Sequence, residues 1–214
     1  MAEGLKMDQL KITRDGAPLV AIDRVIPPGR VLTVMGPSGV GKSTLLAAIT
    51  GTLAPGFACT GRIILNGRDI TAAPPHSRRV GILFQDDLLF PHLSVGENLA
   101  FGLRGGGDRT ARRSRIDAAL AEVGLAGFAD RDPATLSGGQ KARVALMRML
   151  LSDPAALLLD EAFSGLDADR RARMRKLVFD RARARGLPVL MVTHDRDDAD
   201  AAGDDVIELR PGAG

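Results

Sequence analysis

The string Gly36-Pro37-Ser38-Gly39-Val40-Gly41-Lys42-Ser43, continued by Thr44, has the residue types to grip a chain of phosphates. Its glycines let backbone N–H groups curl around phosphate oxygens, Lys42 supplies a cation for the β and γ phosphates, and the Ser43 hydroxyl is an oxygen ligand for Mg²⁺. Much later, Leu157-Leu158-Leu159-Asp160-Glu161 reads as a buried strand that delivers two carboxylates. Asp160 suits the metal side of the phosphates, and Glu161 stands where it could polarise an attacking water. A third string, Leu136-Ser137-Gly138-Gly139-Gln140, offers a hydroxyl and a Gly-Gly backbone at a helix start, which again favours an anion. A second anion site in a chain that already has one invites a second copy, with two ATP molecules sandwiched between two protomers.

Elements that could position these groups follow in the required order. The apolar run 31–35 feeds the Gly-rich loop, and the Leu- and Ala-rich run 43–49 predicts a helix starting at the cradle. Strand signals at 10–13 and 19–22 are joined by a turn at Asp15-Gly16. Pro27-Pro28-Gly29 and Asn66-Gly67 mark further turns, so an antiparallel β portion is expected beside the core. From 86 to 152 the texture is helical, with a capping-box form at Ser94 to Glu97 and a break at Gly105-Gly106-Gly107. Strand character returns at 156–159 and 189–192, each ending in polar residues where a doubly wound sheet places its chemistry. The expectation is one domain over 1–214, with a nucleotide-binding core plus β portion from 1–85 and 153–214 and an inserted helical part from 86–152.

Composition excludes several classes. The 214 residues are 45% hydrophobic, enough for a sizeable core, and the net charge of +3 implies no nucleic-acid partner. No apolar run approaches the roughly 20 residues of a membrane helix, and the first ten residues lack a secretory layout, so a cytoplasmic location is expected. A single cysteine, Cys59, permits no internal disulfide and no cysteine metal site. The basic stretch 170–185 reads as a solvated helix with Met174, Leu177 and Val178 inward. The acidic stretch 195–205 reads as an exposed helix, and His76 and His92 as surface residues.

Together with Gln85 after Ile82-Leu83-Phe84, Ser164-Gly165-Leu166-Asp167 after the acidic pair, and His194 after the last strand, these strings resemble the nucleotide-binding subunits of ATP-binding cassette transporters. The resemblance covers nearly the whole chain. It implies an α/β P-loop ATPase core with a mixed sheet, an antiparallel β subdomain and an inserted helical subdomain. By the same resemblance Gln85 contacts Mg²⁺ or the lytic water, and His194 contacts the γ-phosphate. Ser137, Gly138, Gly139 and Gln140 face the ATP held by the other subunit, and Asp167 reaches across the same interface. Partners implied are a second ATPase subunit, integral membrane permeases at the inner face of the membrane and, for an importer, a periplasmic binding protein. The segments 81–95 and 132–144 are similar to importer ATPases of thiamine and metal-oxyanion type, and the short run after the last strand implies no appended regulatory domain.

Some positions depart from that pattern. The family commonly stacks an aromatic on adenine ahead of the phosphate loop, an interaction of about 1 to 3 kcal/mol. This chain has no Trp or Tyr and its first Phe is Phe57, which leaves the Arg14 guanidinium as a candidate substitute. Ala162 stands where a Pro commonly follows the acidic pair, and Gly165 loosens the next loop. Two other classes stay open on residues alone: a small-molecule kinase, because 36–44 also resembles nucleotide kinases, and a DNA-maintenance cassette, against which the lack of sustained heptads between Gln85 and Ser137 argues.

Overall fold

The computed structural model describes residues 4–86 and 88–209. It divides into two units. The first comprises Met1–Ile82, Ala155–Glu161 and Phe179–Gly214, and the second Leu83–Pro154 and Ala162–Val178.

The first unit begins with a hairpin, β1 (Leu5–Arg14) and β2 (Ala17–Ile26), turned at Asp15-Gly16. After β3 (Val31–Met35) and α1 (Lys42–Thr50), β4 (Phe57–Leu65) returns antiparallel to β1, and β5 (Arg68–Asp69) closes the sheet in the order β2-β1-β4-β5. One face of β1 is buried at Leu5, Met7, Leu10 and Ile12. Strict alternation would turn Leu10 outward; a register shift between Met7 and Leu10, with Gln9 at φ 48°, restores it to the inner face. These residues share one core with Leu45, Leu46 and Ile49 of α1.

The second sheet runs β6-β7-β8-β3-β9, with β6 (Val80–Phe84), β7 (Ala156–Asp160), β8 (Val189–Val192) and β9 (Asp205–Glu208). β7, β8, β3 and β9 are parallel. The runs Ala-Leu-Leu-Leu, Val-Leu-Met-Val and Val-Leu-Thr-Val are buried at every position, the mark of strands covered on both faces. β9 is mostly exposed, as an edge strand can be.

The acidic stretch 195–205 departs from the exposed helix expected of it. Only α6 (Arg196–Ala202) is helical, and Asp198, Ala199 and Ala202 are buried. Asp205 already belongs to β9. Asp204 accepts the Val31 N–H at 2.8 Å and pairs with Arg30 at 2.7 Å, which fastens β9's approach to the start of β3. Carboxylates that look like a solvated face are thus partly structural acceptors.

The second unit is helical. It holds α2 (Val95–Gly102), α3 (Arg109–Glu122), α4 (Gly138–Leu151) and the first part of α5 (Ala168–Ala184), which continues into the other unit. Leu99, Leu120, Val144, Leu146 and Leu150 are buried. The Ser94–Glu97 capping box forms as the sequence predicts, and Asp108 caps α3. In α5 the buried residues Met174, Val178, Phe179 and Ala182 recur at helical spacing with Leu177 half-buried; Arg170, Arg173 and Arg183 are exposed, while Arg171, Arg175 and Arg181 are half-buried, so the helix is less solvated than expected. Among the described residues no helix is long and apolar enough to cross a membrane.

Candidate functional site

In the first unit the groups with chemistry gather where β3, β7 and β8 end on one edge of the parallel sheet. The loop after β3 closes at Gly41, the N-cap of α1, with φ 104°. A methyl there would lie 2.5 Å from Val20 Cγ2, so only glycine lets the turn approach β2. Lys42 is 7% exposed, and its Nζ donates to the carbonyls of Gly36 (2.6 Å) and Pro37 (3.0 Å). The ammonium is therefore curled back into its own loop, the spot a phosphate group could take. Ser38, Gly39, Val40 and Thr44 complete the cradle, and α1 starts without a side-chain cap, leaving its first N–H groups open to an anion.

Ser43 Oγ donates to Asp160 Oδ1 at 3.4 Å, bringing cradle and acidic strand together. Burial and the neighbouring Glu161 charge push the Asp160 carboxyl above its ordinary range, outweighing Ser43 and Lys42. A half-buried carboxylate short of positive charge, beside a hydroxyl, is an oxygen donor set suited to a hard cation. Glu161 leaves β7 in the left-handed region at φ 48°, a conformation costing about 1–3 kcal/mol for a non-glycine residue. Its N–H donates to Val192 O at 3.0 Å, which holds it against the end of β8. There His194 Nδ1 lies 3.2 Å from Glu161 Oε1. The turn carrying His194 is pinned by Thr193, whose hydroxyl accepts the Asp195 N–H at 3.0 Å and donates to Asp198 at 3.4 Å.

One buried group under this site had no signal in the sequence. Arg78 is 6% exposed, and its guanidinium donates to Ala48 O and Ile49 O (both 2.9 Å), Thr71 O (2.7 Å) and Ala73 O (2.7 Å). It caps the C-terminal carbonyls of α1, whose other end carries Lys42. Gly51, the α1 C-cap at φ 80°, makes room: a methyl there would fall 2.6 Å from Arg78 Nε. Nothing local separates Arg78 from Arg79, and only its distant acceptors mark it.

Within the second unit Ser137 caps α4 and completes a capping box with Gln140, with Gly138 and Gly139 in the first turn. Asp167 caps α5: one carboxylate oxygen accepts the Arg170 N–H at 2.9 Å, and the other pairs with Arg170 Nε at 3.0 Å. Gln85 is exposed just past β6. Near it in sequence, Phe90 stacks edge-on against Phe101 at 4.7 Å under the Arg148 guanidinium. Buried Asn98 ties that loop down by accepting the Phe90 N–H and donating to the Phe90, Leu93 and Ser94 carbonyls. Leu88 and Phe101 are 56% and 72% exposed. His76 and His92 are exposed, as the sequence predicts, and Cys59 is half-buried, its thiol pushed up by burial. Arg14 lies over the Phe57 ring, 5.7 Å from its centroid.

Comparison with known proteins agrees with this architecture. The sequence profile of the ABC transporter family matches residues 19–164. The chain is 49% identical over 183 residues to the uncharacterized ABC transporter ATP-binding protein YnjD of Escherichia coli (strain K12), covering 86% of this chain and 84% of YnjD. It is 46% identical to the thiamine import ATP-binding protein ThiQ of Cereibacter sphaeroides, covering 91% and 83%. With the Fe(3+) ions import ATP-binding protein FbpC 1 of Rhizobium meliloti it shares 43% identity over 87% of its own length, but spans only 52% of that relative. The solved structure of cbiO1 from Clostridium perfringens, part of the ABC transporter complex cbiONQ, superimposes with a TM-score of 0.86 at 32% identity, covering 99% of this chain and 86% of cbiO1. By fold, motif order and likeness, the chain belongs to the ABC transporter family as one of its ATP-binding proteins.

Proposed function

We propose that the chain is the ATP-hydrolysing subunit of an importer, working as a pair of copies beneath separate membrane permeases. The observation that supports it most is the Lys42 loop, the Ser43–Asp160 contact and the Glu161–His194 pair converging on one sheet edge. In this reading Gly36 to Thr44 hold the triphosphate, and Lys42 exchanges its two loop carbonyls for phosphate oxygens. Ser43 and Asp160, with Gln85, would hold Mg²⁺, which neutralises phosphate charge when bound. Glu161 takes the proton of the attacking water, and His194, whose Nδ1 lies 3.2 Å from Glu161 Oε1, reaches the γ-phosphate. Ser137, Gly138, Gly139, Gln140 and Asp167 face the triphosphate on the other copy, whose hydrolysis reopens the pair.

The import direction rests on the thiamine and Fe(3+) import names of its relatives. A periplasmic binding protein would then supply the solute. Exposed Leu88 and Phe101, braced by Phe90, form the surface on which a permease would seat, holding the chain at the inner face of the membrane. Family membership leaves the kinase and DNA-maintenance readings without support.

The test is Glu161→Gln. It should retain ATP, lower turnover by about 10²- to 10⁴-fold and trap a dimer visible by sedimentation. Wild-type turnover in that variant removes Glu161 from its role.

A further inference from the structure

We infer that Arg170 is a positioning residue that locks the Asp167 turn onto the first turn of the Ser137 helix, making one rigid surface for the second copy's triphosphate. All the contacts lie inside the helical unit. The Arg170 stem lies across Gly139: a methyl on that glycine would meet Arg170 Cδ at 3.4 Å, with Cγ and Nε at 4.0 Å. From there its Nε reaches Asp167 Oδ2 at 3.0 Å, while the other Asp167 oxygen is held by the Arg170 N–H. One side chain thus touches both strings assigned to the far nucleotide.

Arg170 and Gly139 also line a cavity of 390 Å³, together with Ser137, Ala142, Leu166, Arg173 and Met174. On its other side the α4 turn is already clamped, since Arg143 donates to Gly139 O (3.1 Å) and to Val123 O (2.8 Å) at the end of α3. Gly139 is therefore fixed from the α3 side by Arg143 and from the α5 side by Arg170. Asp167 is thereby tethered to the first turn of α4 through the Arg170 side chain.

This inference rests on the two-copy reading, and the experiment separates the two. Dimerisation with ATP is measured by sedimentation in the Glu161→Gln background, with and without Arg170→Leu, alongside nucleotide binding by the isolated chain. Leucine keeps packing on Gly139 but drops the guanidinium. The expected result is unchanged nucleotide binding and an unchanged melting temperature. An exposed pair of this kind supports about twofold to fivefold per site. A dimer closing over two sites should therefore need about 4- to 25-fold more protein, and Arg170→Lys should recover part of the loss. In an Asp167→Asn background, Arg170→Leu should cost less than it does alone. Equal dimerisation with and without Arg170→Leu overturns the inference while leaving the two-copy reading intact, as does a loss matched by lower melting temperature or weaker single-chain binding. If Glu161→Gln alone never dimerises with ATP, the two-copy reading fails and takes the inference with it.

Discussion

Replacing Arg78 with Met should unsettle the nucleotide cradle without touching it. The guanidinium makes four hydrogen bonds of 2.7–2.9 Å to carbonyls, two of them at the end of α1, and is 6% exposed. Hydrogen bonds from a charged donor contribute about 1.5–3 kcal/mol each, so the four sum to about 6–12 kcal/mol gross. Burial works against this, since taking a guanidinium from water costs several kcal/mol and lowers the Arg78 pKa. Met relieves that cost and keeps much of the volume, but takes the donor away from the buried Ala48 and Ile49 carbonyls of α1 and from the part-buried carbonyls of Thr71 and Ala73. The net loss should be about 3–5 kcal/mol. For a chain of this size each kcal/mol moves the melting temperature by about 2–4 °C, so a fall of about 6–20 °C is expected. Thermal and urea unfolding, followed by probes of the first unit, give the number, and KM for ATP should rise as the end of α1 loosens. Arg78→Lys should recover less than half, because an ammonium cannot reach four acceptors spread over a planar fork. A Met variant that melts within 2 °C of the parent would refute the reasoning, because then the four contacts merely balance their desolvation.

Asp160 offers the opposite sign. Its folded pKa lies above the ordinary 3.8, so the folded chain binds that proton more tightly than the unfolded one. Stability from this group is full below the unfolded value and is lost as pH rises through the folded one. In metal-free, nucleotide-free buffer at pH 8, Asp160→Asn should therefore melt no lower than the parent, with the gap closing toward pH 4 and ATP turnover gone. A lower melting point at pH 8 contradicts the account. If Arg14, seated over Phe57, stands in for an aromatic platform at the base, ATP and GTP should bind with comparable affinity; strong ATP preference in equilibrium binding counts against Arg14. Leu88→Asp with Phe101→Asp should abolish co-purification with a permease while ATP binding persists, and retained co-purification would move the docking surface elsewhere.

The cradle, the acidic pair and the parallel strands were legible in the chain because each is local. Short, fully apolar runs such as 156–159 and 189–192, entered by Pro and left by polar residues, read as strands buried on both faces, and Gly41-Lys42-Ser43 carries its turn and its charge within three residues. Tertiary structure alone decided what depends on a distant partner. Asp160 meets Ser43 across 117 positions of sequence, and Glu161 meets His194 only because β7 lies beside β8. Arg78 differs from Arg79 solely by the helix end it caps, and Arg170 from its neighbours by the glycine beneath it. Charged residues in helices and loops carry no periodic signal of burial, so their roles appear only once the fold brings an acceptor within about 3 Å.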